Sequence, residues 1–271
     1  MTELAVVVAI VGILLSSLMY TFSAQVDQRD FEETRRRLDQ ARELVIAFSV
    51  VNGRLPCPAR GAATSSPATV AGDEVRDATG QCLADGVEDY YGGSNGGVTL
   101  GLLPAKAIGY QQVDAAGFAI DAWGQRIRYA VAKTITNCSG SSTTPHFTNA
   151  TNLKTNGISC QPNDLLVCKS VTGANPPSCG GGGANQIMSA GLVVAVIFST
   201  GKNQSGIGGA GADEAANLKT ATSGLSPAIN PLFVYHTPTP STATNGEFDD
   251  QLTWITHGEL YGKLISAGVL P

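Results

Sequence analysis

The chain has 271 residues, of which 43% are hydrophobic and 14% charged, and it carries 32 glycines. That length suits one large domain, or one domain with an appended element, and the apolar content is enough for a core, which argues against a wholly disordered chain. A formal net charge of −5 offers no basic face to neutralise phosphates, so a nucleic acid is not expected as primary ligand. Six cysteines point to maturation where disulfides persist.

Leu4 to Phe22 reads LAVVVAIVGILLSSLMYTF, without charge or proline. About 19 such residues span a hydrocarbon layer as a helix. The only earlier charge is Glu3, and the first basic residue is Arg29. The basic start and the small-residue cleavage site of a secretory signal are both missing. A simple membrane anchor is the bland alternative for this run. From Gln25 to Val51, apolar Val26, Phe31, Leu38, Ala41, Leu44, Val45 and Phe48 recur at roughly helical spacing, with charges of both signs elsewhere. No glycine or proline falls between Ile13 and Val51, and Asn52-Gly53, Pro56 and Pro58 then supply a stop. One helix about 75 Å long is expected, lipid-soluble in its first half and amphipathic in its second. Residues 1–24 form the first part, 25–55 the continuation and 56–271 a β-rich head.

Beyond Pro58, glycine, alanine, serine, threonine and asparagine dominate. Ala62–Ala71, Ser139–Thr151, Pro176–Asn185 and Thr237–Gly246 read as loops. Between them Arg126–Lys133, Leu192–Thr200 and Leu232–His236 read as strands, and Leu103–Ile108 as a short helix. The fold class expected is α+β: a long N-terminal helix packed on a small antiparallel sheet with long stapled loops.

Enzyme motifs are not found. His146, His236 and His257 have no paired-ligand spacing and are most simply surface residues. Gly206–Gly211 satisfies G-x-G-x-x-G, but Gly201–Ser205 separate it from the preceding strand and Ala212–Leu218 offers about two helical turns at most, so a dinucleotide site is not expected. Among Cys57, Cys82, Cys138, Cys160, Cys168 and Cys179 no pair has C-x-x-C spacing. Joining neighbours is the economical choice: Cys57–Cys82, Cys138–Cys160 and Cys168–Cys179, each contributing roughly 3 kcal/mol. Asn137, Asn149 and Asn203 begin Asn-x-Ser/Thr triplets, and Thr237–Thr244 could carry O-linked sugars.

Thr2-Glu3-Leu4 followed by AVVVAIVGILL resembles the amino terminus of type IV pilins and type II secretion pseudopilins. In that superfamily a prepilin peptidase exposes a Phe-Thr-Leu-Ile-Glu-Leu-like start, the new amine is methylated, and the apolar helix becomes the filament core. Met1 sits where the family has leucine, and Glu3 matches the family's glutamate near the mature start. On that match the sequence begins two residues inside the mature chain. The proline often associated with a kink in this helix is missing from Tyr20–Ala24. Asp121-Ala122-Trp123-Gly124 through Tyr129 resembles the D-x-W-G-x-x-x-x-Y strand entry of the major pseudopilins. Ser199-Thr200-Gly201-Lys202-Asn203 through Gly209 resembles their calcium loop, with Asn203 at an aspartate position, and Phe248–Trp254 resembles the segment closing it. Thr134–Ala190 and Ala215–Glu247 stand as insertions.

The resemblance implies a non-enzymatic filament subunit, held in the inner membrane before assembly and carried outside in the filament. Its partners would be identical copies, the inner-membrane assembly platform and the prepilin peptidase. A pilin is the first expectation; a pseudopilin and a minor tip or adhesin subunit are the alternatives. Glu3 would meet a neighbouring N-terminal amine, because a carboxylate at the edge of hydrocarbon needs a partner. Leu4 would join the apolar core, and Gly12 would permit close helix approach. Calcium is the one cofactor considered, with Asn203, Asp213, Asp249 and Asp250 as candidate ligands; a metal-free glycine loop held by turns is the more economical reading.

Overall fold

The computed structural model describes residues 2–59, 71–76, 82, 101–132, 135–136, 146–176, 178–203, 211–218 and 232–270. Helix α1 runs unbroken from Thr2 to Asn52. Its end is where the sequence places it, with Gly53 in the left-handed region at φ 67°. In the second half of α1, Thr34, Leu38, Ala41, Val45 and Ser49 are all buried. Steps of three and four residues put them on one stripe, the face a helix presents to a core. Fully burying Leu38 and Val45 contributes about 1.5–3 kcal/mol each. Val26 is 53% exposed and lies off that stripe. Among the described residues no helix is long and apolar enough to cross a membrane. The side chains of residues 13–24, over most of which the expected span runs, lie outside the described residues.

The head begins with α2 (Ala105–Ile108), β1 (Arg128–Val131), β2 (Ile135–Thr136) and α3 (Ala150–Asn156). Next come β3 (Gln161–Pro162), β4 (Leu166–Cys168), β5 (Gln186–Met188) and β6 (Val193–Ser199). It ends with α4 (Ala212–Asn217), β7 (Leu232–Val234), β8 (Gln251–Thr256) and α5 (His257–Ser266). The main sheet has the order β1-β6-β8 and is antiparallel throughout, with Tyr129 opposite Ile197 and Val196 opposite Trp254. Every residue of β6 is buried, as expected of a central strand covered on both faces. A second sheet has the order β5-β4-β7. Its β4–β7 pair is parallel, so the sheets are not wholly antiparallel as expected.

The main core joins Leu38, Val45 and Ile46 of α1 to Tyr129 of β1, Ile197 of β6 and Leu260 of α5. The amphipathic half of the stem is thus part of the head's own core rather than a separate region. A second cluster, including Leu166, Leu232, Val234 and Phe248, sits under the second sheet. Two expected disulfides are present, Cys57–Cys82 and Cys168–Cys179. Cys160 is also disulfide-bonded. Cys138 lies outside the described residues.

Candidate functional site

The D-x-W-G segment is a turn clamp. Asp121 Oδ1 accepts the backbone N–H of Trp123 at 2.9 Å and of Gln125 at 2.7 Å, and the Ser199 hydroxyl donates to Oδ2 at 2.5 Å. Gly124 holds φ 81°, the conformation that lets the turn close. Ser199 ends β6, and its hydroxyl also accepts the N–H of Gly201 at 3.1 Å. The clamp therefore fixes where the Ser199–Asn203 loop leaves the sheet.

That loop wraps around Asp249. Lys202 N–H donates to Asp249 Oδ2 at 3.0 Å, and the Asn203 N–H also donates to this carboxylate. A Cβ on Gly201 would lie 2.1 Å from Asp249 Oδ1, and φ there is 65°, so only glycine fits. Glu214, in the first turn of α4, accepts the Asp249 N–H through Oε1 at 3.0 Å. Asp250 is 2% exposed, and its Oδ2 accepts from Asn217 Nδ2 at 2.7 Å. Glu214, Asp249 and Asp250 each offer an oxygen, and those oxygens lie within 4.8 Å of one another.

Of the four candidate ligands, the structure brings Asn203, Asp249 and Asp250 to one place and sends Asp213 elsewhere. Asp213 accepts from Ser170 Oγ at 3.0 Å, Val171 N–H at 2.7 Å and Asn245 Nδ2 at 2.9 Å, and lies 3.5 Å from His236 Nε2. These donors hold its carboxyl below the usual range against the opposing effect of burial. The replacement of Asp213 by Glu214 has a simple cause. Neighbours on a helix point about 100° apart, so only one of the two can face Asp249. Asp249 and Asp250 shift the other way. Burial raises the Asp249 carboxyl, and burial with nearby Glu214 and Asp249 raises Asp250 well above its ordinary value. Three carboxyls this close cannot all ionise without a cation or a shared proton.

The oxygens fit a hard divalent cation. Besides the three carboxyls, Asn203 Oδ1 and the Thr200 hydroxyl are buried without a hydrogen-bond partner among the described residues. Calcium takes six to eight oxygens, carboxylates mixed with amides and carbonyls. Lys202, whose charge would oppose a cation, turns its ammonium to Asp27 of α1 at 2.9 Å. A bound ion would favour the ionised carboxylates and release any proton the cluster holds.

The expected assembly residues lie at the far end of α1. Glu3 and Leu4 belong to the helix, but their side chains lie outside the described residues. A Cβ on Gly12 would meet nothing within 4 Å, so its surface is open to close approach. Val7, Val8, Ile10 and Val11 are 47–63% exposed.

The histidines are not all surface residues. His146 is fully buried, with Nε2 2.7 Å from the Tyr261 hydroxyl, and His257 is 7% exposed with Nε2 2.9 Å from the Cys160 carbonyl. Burial holds the His146 imidazole down at about 4, so it stays neutral. Residues 206–210 of the G-x-G-x-x-G run lie outside the described residues, while Gly211 caps α4. No family model matches the chain, and no curated protein or solved structure matches it.

Proposed function

We propose that this chain is the structural subunit of a type IV pilus-like extracellular filament, polymerising through its N-terminal helix. The supporting observation is α1 itself: one continuous helix from Thr2 to Asn52, whose second half is built into the head core and whose first half presents exposed Val7, Val8, Ile10 and Val11. A row of large apolar side chains is not left in water; lipid or copies of the same helix must cover it. Both occur in turn when a subunit waits in the inner membrane and then enters a filament outside the cell. Glu3 neutralises the terminal amine of a neighbour, and Leu4 and Gly12 lie in the helix–helix contact.

The test is Glu3→Ala in the assembling cell. The variant protein stays in the membrane fraction and the sheared surface fraction holds no filaments; a normal filament yield would remove the assigned role. A type II secretion pseudopilin is the second reading, favoured by the acidic cluster beside the Ser199–Asn203 loop. Mass spectrometry of sheared filaments separates the two, since a pilin is the main component of surface fibres.

A further inference from the structure

A groove of about 780 Å3 runs between the stem helix and the outer edge of β8. One wall is α1, with Phe31, Arg35 and Leu38; the opposite wall is the chain following β7, with Tyr235 and Thr237. Gln251 to Trp254 of β8 line the back of the groove.

Among the described residues β8 is the terminal strand of its sheet, pairing with β6 on one side. The Trp254 carbonyl accepts from Arg42 Nε of α1 at 2.9 Å. Its main-chain groups therefore point away from β6, and the period-two alternation of a strand turns those of Leu252 the same way. By that alternation the Leu252 N–H and C=O and the Trp254 N–H form a short ladder edge turned to the groove, open among the described residues. Sheet edges of this kind pair with any extended chain that reaches them unless they are blunted.

The side chains around this edge define the occupant. Leu38 and Leu252 are buried and Trp254 half-buried, while Tyr235 is 37% exposed and meets Trp254 edge-to-face at 5.7 Å. The exposed parts of Trp254 and Tyr235 receive alternate apolar side chains, over a floor of Leu38 and Leu252. Arg35 and Lys169 are exposed at the groove, facing one exposed carboxylate, Asp39. Arg42 is already paired with Glu259 and Glu43, and Asp250 is buried in the acidic cluster. A positive surplus in the groove of a chain with net charge −5 favours an acidic guest.

We infer that this groove docks an extended acidic segment of a partner protein, which adds to β8 as a further strand. The partner's main chain bonds to Leu252 and Trp254, its alternate apolar residues sit against Trp254 and Tyr235, and its carboxylates meet Arg35 and Lys169. An extended stretch of four residues covers about 13 Å, enough to follow the open part of the strand. This is recognition by strand addition, with the main chain giving affinity and the alternate side chains giving specificity.

The test uses the full chain in detergent and fluorescence anisotropy of labelled heptapeptides. One alternates valine with glutamate, a second replaces glutamate by lysine, and a third is the acidic peptide with alternate backbone nitrogens methylated. The acidic peptide binds saturably and the lysine peptide at least about tenfold more weakly. Methylation, which removes the ladder bonds and leaves the charges, weakens binding at least about tenfold. An Arg35→Glu/Lys169→Glu variant, with an unchanged melting temperature, weakens the acidic peptide by a similar factor. Equal affinity for the methylated peptide would overturn strand addition. Absent binding of the acidic peptide would overturn the site, as would binding of tetragalacturonate alone, which would make the groove a glycan site.

Discussion

Replacing Asp250 with asparagine separates the cost of the acidic cluster from its use. Asp250 is 2% exposed and its carboxyl is pushed well above the ordinary range by burial, with Glu214 and Asp249 adding to the effect. A carboxyl whose folded value is raised stabilises the fold fully only below the unfolded value, near 3.9, and that stability is lost as pH rises toward the folded value. In chelator at pH 7.5 the wild type therefore carries a penalty that the amide does not. The Asn217 donor at 2.7 Å still finds an acceptor in the Asp250→Asn amide, so no hydrogen bond is left unmade. A gain of about 1–3 kcal/mol is expected, which for a head of this size raises the melting temperature by about 3–10 °C. Calcium reverses the ranking. At a hundred times its Kd it adds about 2.7 kcal/mol to the wild type and little to the variant, which has lost a charged ligand. Scanning fluorimetry with chelator and with calcium, from pH 4 to 8, reads both effects. A variant less stable than wild type in chelator would refute the burial argument, and a wild type whose melting point ignores calcium would refute the site.

Acid should loosen the buried histidine contact. With the His146 value held near 4, against 6.5 unperturbed, stability is lost as pH falls through that window, by up to about 3 kcal/mol. His146→Asn should flatten the slope in chemical denaturation between pH 7 and 4, and an unchanged slope would exclude His146 as its source. Cys168→Ser/Cys179→Ser removes a staple of sequence separation 11 and should cost about 3 kcal/mol in urea midpoints, with peptide mapping of the parent recovering the Cys57–Cys82 and Cys168–Cys179 pairs. A melting curve indifferent to that double change would show the second sheet to be held by its apolar cluster alone.

Where a feature rests on local chemistry, the sequence announced it. Helix α1 was legible because no breaker falls between Ile13 and Val51, and β6 because seven consecutive apolar or small residues sit between turn signals. The two described disulfides followed from proximity in sequence. What depends on distant packing was not legible. Helix α5 is diluted by Gly258 and Gly262, although Thr256, whose hydroxyl accepts the Glu259 N–H at 3.3 Å, left a capping signal three residues ahead of an acid. β7 was legible as a strand, but three-residue β4 was not, and their parallel pairing across more than sixty positions is beyond any periodicity argument. The choice of Glu214 over Asp213 turns on the rotation of a six-residue helix, which tertiary contacts set. His146 looked exposed because it falls in the loop-like Ser139–Thr151 stretch; its partner, Tyr261, comes from the helix that the pattern missed.

The fastening of stem to head falls on the same segments that build the acidic cluster. Arg37 donates to the Asp121 carbonyl at 2.6 Å and the Ile120 carbonyl at 3.3 Å, and the Thr34 hydroxyl accepts the Ala122 N–H at 3.1 Å, so the D-x-W-G turn is bonded to α1. The Gln251 amide donates to the Phe31 carbonyl at 3.0 Å and Arg42 to that of Trp254, which bonds both ends of β8 to the same helix. Lys202 adds its pair with Asp27, but both side chains are about half exposed, and such a pair contributes well under about 1 kcal/mol. The charge-assisted bonds from half-buried Arg37 and Arg42 are worth about 1.5–3 kcal/mol each and therefore decide the stem's rotational setting. Rotation of α1 by one residue, about 100°, would break all of them together and carry Leu38 and Val45 out of the core. The helix is thus held in one register by bonds to the turn that aims Ser199 and to the strand that follows Asp249 and Asp250. Any ion that orders the cluster acts on a framework already fixed to the stem, so its effect should appear as stiffness at that junction rather than as a change of fold.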